Sequence, residues 1–430
     1  MDQPTRLLAR RGPRLFGDAQ VPGDKSVSHR AVIFAALAQG ESRIAGLSDA
    51  LDVQHTIAAV RALGADAEEG RNGEWRVAGG PWQSPPSALE CGNSGTTARL
   101  LMGAVAAQRI AATFTGDASL RRRPMARLSA PLRRMGARIT GGGTLPLTVT
   151  GGPLRAIRHV NDPASAQVKS AILLAALGAE GITEIEEPLP SRDHSERMLP
   201  MFGVAVEGGA TARLNGPQRL RPADIAVPGD FSAAAFPLVA ALLVPGSEVT
   251  IRGVGVNPLR TGLIDTLREM GAEIETENHR MCGGEPVADL IARGSSLRAV
   301  TVPAERAPRL IDEYPILAVA AACARGGTVM HGLGELRHKE SDRLAAIAAG
   351  LAACGIAAEA AGDSLRITGG RVAGGAPVAS GGDHRIAMAF LILGLVSEQP
   401  IRVDGAHMIA TSFPAFVPLM RSLGADIAPP

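Results

Sequence analysis

The chain has little of three things that many binding proteins use: aromatic side chains, net charge and lysine. Aromatic residues make up 3% of its 430 residues, and the formal net charge is +2 at pH 7. So few rings and so weak a positive charge argue against a nucleic-acid-binding protein. Lysine is rarer still, because 44 basic residues include only Lys25, Lys169 and Lys339. Where arginine is the usual cation, a retained lysine suggests a need for a compact ammonium.

The sequence also lacks long hydrophobic runs and cysteine motifs. Apolar runs such as Ala171–Leu177 and Phe236–Pro245 are too short to span a bilayer, and residues 1–12 show no apolar signal segment. The cysteines have neither CxxC spacing nor a His cluster nearby. We therefore expect free thiols, no metal site, no membrane partner and a cytoplasmic location.

What the chain does contain is an internal repeat. A short motif with a central glycine recurs about every 70 residues after an amphipathic helical pattern and before a strand-like segment. The glycines, which we predict to end helices, are Gly64, Gly136, Gly203, Gly271, Gly355 and Gly424.

A second motif, a polar turn, lies upstream of each of these glycines and opens an Ala/Leu/Val-rich helix. The six turns are Gly23–Ser26, Gly92–Thr97, Ser165–Gln167, Gly229–Ser232, Asp312–Tyr314 and Gly382–Arg385. The pattern predicts six copies of one α/β unit, three per domain, with apolar helices inside and sheets outside. The sequence contains neither a dinucleotide-binding fingerprint nor a P-loop.

The helix-opening turns are accompanied by cations. Unpaired N–H groups and the helix dipole make a helix N-terminus a ready anion site, although Gly and Ser at such turns can simply be caps. The cations near the turns are Lys25, Arg30, Arg99, Arg121–Arg123, Arg192, Lys339, Arg343 and Arg385. Their distribution over corresponding turns favours an electropositive cleft for a small polyanion.

The most charged stretch is Leu336–Leu344. If a helix begins near Glu340, that carboxylate lies between Lys339 and Arg343, as acid–base chemistry on an anionic substrate would require. The alternative is a solvated helix start with ordinary ion pairs.

Four motifs together resemble the 5-enolpyruvylshikimate-3-phosphate synthase family. They are Val21–Arg30, Gly92–Arg99, Arg123–Met125 and Arg337–Arg343. The resemblance spans nearly the whole chain and implies a two-domain inverse α/β barrel, built from six repeated α/β units with the active site in the interdomain cleft. The domains would be residues 1–22 plus 229–430, and residues 23–228.

The resemblance also implies the reaction. The family transfers the enolpyruvyl group of phosphoenolpyruvate to the 5-hydroxyl of shikimate 3-phosphate and releases phosphate through a tetrahedral intermediate, in aromatic amino acid biosynthesis. Two phosphates and two carboxylates require several cations, which supply the electrostatic stabilisation, so no cofactor is expected. We expect a monomer whose partners are the two small-molecule substrates.

Roles follow residue by residue from the matching motifs. The implied shikimate 3-phosphate ligands are Lys25, Ser26, Arg30, Ser165, Ala166, Gln167, Arg192, Asp312 and Lys339. The implied phosphoenolpyruvate ligands are Lys25, Gly95, Thr96, Arg123, Gln167, Arg343 and Arg385. The implied catalytic residues are Asp312, which accepts the hydroxyl proton, Glu340, which handles the methylene proton, and Lys25.

Two departures and two alternatives accompany this resemblance. Glu335 stands where some members have Asn, and Thr411 where some have a Lys that reaches phosphoenolpyruvate. One alternative is the related UDP-N-acetylglucosamine enolpyruvyl transferase, but that family has a Cys in the loop corresponding to Leu120–Met125, and here the loop has none. The other is a non-catalytic anion-binding protein on the same scaffold. His384 could be either a site residue or a capping partner.

Overall fold

The structure, a computed structural model, describes residues 5–430. In chain order its α-helices are α1 (Lys25–Leu37), α2 (Leu51–Ala62), α3 (Gly95–Ala106), α4 (Ala126–Met135), α5 (Ala166–Ala176), α6 (His194–Met198), α7 (Phe231–Leu243), α8 (Gly262–Glu269), α9 (Ala307–Leu310), α10 (Tyr314–Cys323), α11 (Arg343–Ala353), α12 (His384–Gly394) and α13 (Phe416–Ser422). Short 3-10 helices span Leu120–Arg122, Leu199–Phe202, Ala304–Arg306, Gly334–His338 and Ala406–Thr411.

The strands are short, as an α/β chain with many turns predicts. They are β1 (Arg6–Arg10), β2 (Phe16–Gln20), β3 (Gly40–Ala45), β4 (Asp66–Glu69), β5 (Trp75–Gly79), β6 (Leu89–Glu90), β7 (Ala111–Thr115), β8 (Arg138–Gly141), β9 (Leu147–Thr150), β10 (Leu154–Arg155), β11 (Arg158–Val160), β12 (Ala179–Glu186), β13 (Thr211–Gly216), β14 (Ile225–Ala226), β15 (Glu248–Gly255), β16 (Glu273–Cys282), β17 (Glu285–Arg293), β18 (Thr301–Val302), β19 (Gly326–Met330), β20 (Ala357–Ala361), β21 (Ser364–Gly369), β22 (Pro377–Ala379), β23 (Ile401–Asp404) and β24 (Asp426–Ala428).

The chain forms two compact units. Unit 1 contains the residues up to Pro22, Gly229–Arg280 and Pro286–Pro430, and unit 2 contains Gly23–Pro228 together with Met281–Glu285. Within residues 5–430, no helix has the combined length and apolar character needed to cross a bilayer.

Each unit contains three four-stranded sheets among the described residues. In unit 1 the strand orders are β22-β23-β1-β24, β16-β17-β15-β2 and β18-β19-β21-β20. In unit 2 they are β14-β3-β5-β4, β6-β7-β9-β8 and β10-β12-β11 with β13 also on β12. One arrangement recurs: a short strand runs parallel to a longer one, which then pairs antiparallel with a third, as in β6, β7 and β9.

The core of each unit is built on apolar helices. In unit 2, α1, α3 and α5 are largely buried, as are α7, α10 and α12 in unit 1. Small residues allow close packing: a Cβ added to Gly103 on α3 would lie 2.1 Å from the carbonyl oxygen of Ala171 on α5. Strand residues alternate between buried and exposed, as in β13.

The predicted helix starts are confirmed, because α1, α3, α5, α7, α10 and α12 begin at the six polar turns. Side-chain caps explain five of these starts. The capping residues, each accepting a hydrogen bond from a first-turn backbone N–H, are Asp24, Ser94, Ser165, Asp230 and Asp383. In α10 the residue at this position is Glu313, whose side chain bonds elsewhere.

The six glycines that were predicted to end helices all have positive φ, between 81° at Gly203 and 117° at Gly136. A left-handed residue after a helix is the conformation that favours glycine, so this prediction is confirmed. The expected following strand is missing only after Gly203. There α6 is five residues long and continues as a 3-10 helix, and the next strand is β13.

Candidate active site

The first turn of α1 places two predicted site residues at a capped helix N-terminus. The Asp24 carboxylate accepts a hydrogen bond from the N–H of Val27 at 2.9 Å, so Lys25 and Ser26 lie in the first turn. Lys25 Nζ lies 2.8 Å from Asp52 Oδ2, and both side chains are mostly buried. The carboxylate of Asp52 therefore holds the ammonium near the helix end.

Arg30, one turn further along α1, is 2% exposed. Its Nε donates to Ser195 Oγ at 2.9 Å, Nη2 donates to Ser170 Oγ at 2.6 Å, and Nη1 donates to the Ser26 carbonyl at 2.8 Å. All three acceptors are uncharged oxygens. The guanidinium is thus positioned by neutral groups, which is a suitable arrangement for a cation that receives an anionic ligand.

The electrostatic environment of Arg30 agrees with this view. Burial lowers the pKa of Arg30 to about 10, an effect that Glu196 opposes and that the nearby Arg192 reinforces. The two arginines are therefore close enough to repel one another. A ligand anion bound here would relieve both the burial cost and the repulsion.

Gly95 begins α3, which Ser94 caps. A Cβ on Gly95 would lie 2.6 Å from Arg99 Nη1 and 3.2 Å from Arg123 Nη1. Arg123 Nη2 also donates to Asn93 Oδ1 at 2.6 Å. The missing side chain therefore lets two guanidinium groups approach one helix N-terminus, which concentrates positive charge there.

Gln167 connects the start of α5 to α3. Its Nε2 donates to Thr96 Oγ1 at 2.9 Å, and its Oε1 accepts from Arg99 Nη1 at 2.6 Å. Ser165 caps α5 and Ala166 is the first helical residue. The predicted residues of these two turns therefore lie side by side in unit 2.

In unit 1 the helix predicted to begin near Glu340 instead begins at Arg343, and that expectation was wrong. Asp342 is the cap, since its carboxylate accepts from the Ala345 N–H at 3.0 Å. Lys339 and Glu340 precede the helix, after the 3-10 helix Gly334–His338. Both side chains are therefore placed by a loop and by their ion pairs.

Arg343 is the centre of this set and its side chain is 1% exposed. Its Nε donates to Asp383 Oδ2 at 2.8 Å, Nη2 donates to Glu340 Oε2 at 2.6 Å, and Nη1 donates to Asp312 Oδ1 at 3.3 Å. Burial alone would lower the pKa of Arg343, but the three carboxylates outweigh it and raise the pKa. One permanent cation therefore holds both predicted acid–base carboxylates.

Asp312 is surrounded by positive charge. Its Oδ1 lies 3.5 Å from Lys339 Nζ and 3.3 Å from Arg343 Nη1. Its Oδ2 lies 3.9 Å from Arg260 Nη1 and 4.0 Å from Arg385 Nη2. The carboxylate of Asp312, 31 residues upstream of Arg343, thus lies between Lys339 and Arg343.

Sequence reasoning missed Asp383 and Arg260 as members of this set. Asp383 lies in a polar turn that was recognised only as a helix start, yet its carboxylate also binds Arg343 and accepts from Ser341 Oγ at 3.1 Å. Arg260 is buried and donates to Ser232 Oγ at 2.8 Å. No signal distinguished Arg260, because arginine is the ordinary cation of this chain.

Thr411, one of the two departures from the family motifs, is the last residue of the Ala406–Thr411 3-10 helix. Its Oγ1 donates to the Met408 carbonyl at 2.7 Å and lies 3.3 Å from His384 Nδ1. His384 is the first residue of α12 and is buried. The threonine therefore makes local contacts beside the turn that carries Arg385.

The predicted residues fall into two sets, each within one unit. Unit 2 contains Lys25, Ser26, Arg30, Gly95, Thr96, Arg123, Ser165, Ala166, Gln167 and Arg192. Unit 1 contains Asp312, Lys339, Glu340, Arg343 and Arg385. Helix N-termini lined by cations, with carboxylates held among them, define a class of sites that bind and transform small anionic molecules.

Comparisons with known proteins identify the family. The sequence profile of EPSP synthase (3-phosphoshikimate 1-carboxyvinyltransferase) matches residues 9–420. A 3-phosphoshikimate 1-carboxyvinyltransferase of Acidiphilium cryptum is 58% identical over 96% of this chain and 95% of its own length. One from Methylorubrum populi is 55% identical over 99% and 98%.

Solved structures give the same result. EPSP synthase from Acinetobacter baumannii superposes with a TM-score of 0.87 at 44% identity, covering 98% of this chain and 99% of its own. The enolpyruvyl transferase NikO from Streptomyces tendae, at 21% identity and a TM-score of 0.78, shows a shared fold only.

The chain belongs to the EPSP synthase family. The resemblance predicted from the sequence motifs is therefore confirmed, as are the α/β fold and the prediction of a transferase of the shikimate pathway. The UDP-N-acetylglucosamine alternative is not favoured by these matches.

Proposed function

We propose that this chain joins shikimate 3-phosphate to phosphoenolpyruvate. The 5-hydroxyl oxygen bonds to the enol carbon while the methylene carbon gains a proton, giving a tetrahedral intermediate. Loss of a methyl proton and of inorganic phosphate then gives the enolpyruvyl product. One observation carries the proposal: Asp312 lies within 4.0 Å of four cationic side chains, and one of them, Arg343, also pairs with Glu340.

Shikimate 3-phosphate is assigned mainly to unit 2. Lys25 and Ser26 lie in the first turn of α1, and Arg30, one turn further along, is held by uncharged oxygens. Ser165, Ala166 and Gln167 would bind the phosphate and ring at the N-terminus of α5. Arg192 would pair with the phosphate nearby. Asp312 and Lys339 would contact the same substrate. Capped helix ends and positioned arginines support this assignment because both bind phosphate well.

Phosphoenolpyruvate is assigned to the cations around Gly95 and to two arginines of unit 1. In unit 2 the ligands are Lys25, Gly95, Thr96, Arg123 and Gln167. The close approach of Arg123 to Gly95 supports this set. In unit 1 the ligands are Arg343 and Arg385, both largely buried.

The two carboxylates have separate tasks. Asp312 accepts the proton of the 5-hydroxyl, and the four surrounding cations stabilise its ionised form. Glu340 transfers the proton at the methylene carbon, and its ion pair with Arg343 orients the Glu340 carboxylate. Lys25 completes the catalytic set. Arginines and lysines supply the electrostatic stabilisation, so the proposal requires no cofactor.

We further propose that units 1 and 2 are the two three-repeat domains of an inverse α/β barrel, with boundaries at residues 22/23 and 228/229. Two observations support this proposal. Each unit has three sheets with a recurring strand arrangement, and six polar turns open buried helices.

The decisive experiment measures phosphate release from phosphoenolpyruvate with either shikimate 3-phosphate or UDP-N-acetylglucosamine as acceptor. We expect release only with shikimate 3-phosphate, and activity only with the other acceptor would overturn the proposal. In Asp312→Asn, turnover should fall by about 10²- to 10⁴-fold, the usual contribution of a positioned proton acceptor. Full turnover in that variant would reject Asp312 as the base.

A further inference from the structure

Lys169 is the one lysine for which the proposed function has no use, yet it is almost fully buried. Its Nζ lies 2.8 Å from Glu187 Oε2 and 2.8 Å from Glu196 Oε1, and it donates to the Ser191 carbonyl at 3.3 Å. The three charged side chains are 3%, 2% and 7% exposed. A buried ion cluster of this kind adds little stability over apolar residues of similar size, so stability alone explains it poorly.

Glu187, which follows β12, has a full set of hydrogen bonds. Its Oε1 accepts from Asn161 Nδ2 at 2.6 Å and from Ser191 Oγ at 2.6 Å. Its Oε2 accepts from the Ser191 N–H at 3.0 Å and from Lys169 Nζ at 2.8 Å. The amide of Asn161 also donates to the Ser165 carbonyl at 3.0 Å. One carboxylate therefore connects the turn at Ser165 to the loop at Ser191.

We propose that Glu187, neutralised by Lys169, is a positioning residue that sets the turn at Ser165 relative to Arg192 for binding shikimate 3-phosphate. The inference rests on the proposed function, in which Ser165 and Arg192 contact that substrate. Arg192 directly follows Ser191, and Asn161 holds the carbonyl of Ser165, so a displaced Glu187 would move both ligand-binding segments. Glu187 itself does not have to touch the substrate.

The same cluster supports the Arg30 site. Lys169 and Ser170 are neighbours on α5, and Glu196 and Ser195 are neighbours on α6. The ion pair between Lys169 and Glu196 therefore fixes the two helices whose serine hydroxyls accept hydrogen bonds from Arg30. A compact ammonium fits between two carboxylates and a carbonyl oxygen, whereas a planar guanidinium is wider. This geometry gives a reason for a lysine at position 169.

The test is Glu187→Gln, which keeps the size of the side chain but removes its charge and one acceptor oxygen. We expect the KM for shikimate 3-phosphate to rise about 10- to 100-fold, the effect of a small misplacement of binding groups. The KM for phosphoenolpyruvate should change much less, because only Gln167 among its proposed ligands lies in the displaced turn. The matched control is Glu186→Gln on the adjacent residue, whose side chain is 42% exposed and pairs with Arg158 at the surface. It should leave both KM values unchanged.

A purely structural Glu187 would lower the melting temperature of the Gln variant without changing the KM for shikimate 3-phosphate, and that result would overturn the inference. If Glu187→Gln does not fold, Lys169→Arg keeps the charge and should still raise the same KM. An unchanged KM in that variant, or failure of both variants to fold, would also overturn it.

Arg192→Ala separates this inference from the proposed function. An unchanged KM for shikimate 3-phosphate in Arg192→Ala would show that the proposed ligand assignment fails. A raised KM in Arg192→Ala together with an unchanged KM in Glu187→Gln would reject only the positioning role of Glu187. Each KM is measured by phosphate release with the other substrate saturating.

Discussion

Arg30→Met should separate stability from substrate binding in the part of the site that is assigned to shikimate 3-phosphate. Methionine is unbranched and apolar, so it suits the buried path of the arginine side chain. The two serines that accept from Arg30 already bond to each other, because Ser195 Oγ donates to Ser170 Oγ at 2.8 Å. Removal of the guanidinium therefore leaves these hydroxyl groups with a partner.

The magnitude follows from the burial of the charge. The pKa of Arg30 is lowered to about 10, mainly by burial. At about 1.36 kcal/mol per pKa unit, keeping this side chain charged in the folded protein costs on the order of 3 kcal/mol. The folded state releases this proton at a lower pH than the unfolded state. The cost is therefore fully present at neutral pH and is lost only as the pH rises through and above about 10.

We accordingly expect the free energy of unfolding of unliganded Arg30→Met, measured by urea denaturation at neutral pH, to equal or exceed that of the unsubstituted protein. Losing one partner of a charge pair with the ligand costs about 2 kcal/mol or more, so the KM for shikimate 3-phosphate should rise at least about 30-fold. The control is Arg43→Met, at an exposed position on β3, which should change neither quantity. A KM within twofold of the unsubstituted protein, or a marked loss of stability, would refute the reasoning.

Three further changes test the rest of the site. Glu340→Gln keeps an acceptor for Arg343 but removes the proton carrier. Turnover, and deuterium incorporation into the phosphoenolpyruvate methylene measured by mass spectrometry, should both fall about 10²- to 10⁴-fold. Normal incorporation would exclude Glu340 from this proton transfer. Gly95→Ala places a Cβ 2.6 Å from Arg99 Nη1 and 3.2 Å from Arg123 Nη1. It should raise the KM for phosphoenolpyruvate more than the KM for shikimate 3-phosphate in steady-state assays, whereas equal effects on both would contradict the assignment. Asp383→Asn weakens a buried partner of Arg343 and should lower the free energy of unfolding by about 3 kcal/mol in urea titrations; a loss below about 1 kcal/mol would mean that the remaining carboxylates suffice.

Local chemistry made much of the fold predictable. Asp24 and Ser94 are recognisable caps because a short acceptor before an apolar helix satisfies its first N–H groups. Gly136 is recognisable as a helix end because a left-handed residue there favours glycine. These signals depend only on neighbouring residues, so they are visible in a linear sequence.

Partners that are distant in sequence were less predictable. The charged stretch suggested a carboxylate, Glu340, beside Lys339 and Arg343, but it gave no sign that folding also brings Asp312 to these two cations. The helix start at Arg343 followed from the cap at Asp342, which competes with any earlier start. A charge pattern indicates that ions are present, whereas pairing depends on which elements pack together.

The sequence by itself therefore determined the recurring motifs, the helix-opening turns, the family and most of the residues that we assign to the substrates, because each depends on local patterns and motif spacing. Only the tertiary structure decided which charges meet: Arg343 with three carboxylates, Arg30 with uncharged oxygens, and Lys169 with Glu187 and Glu196. The physical reason is that ion pairing depends on distances of a few ångströms between elements far apart in the chain, and on burial that strengthens each interaction.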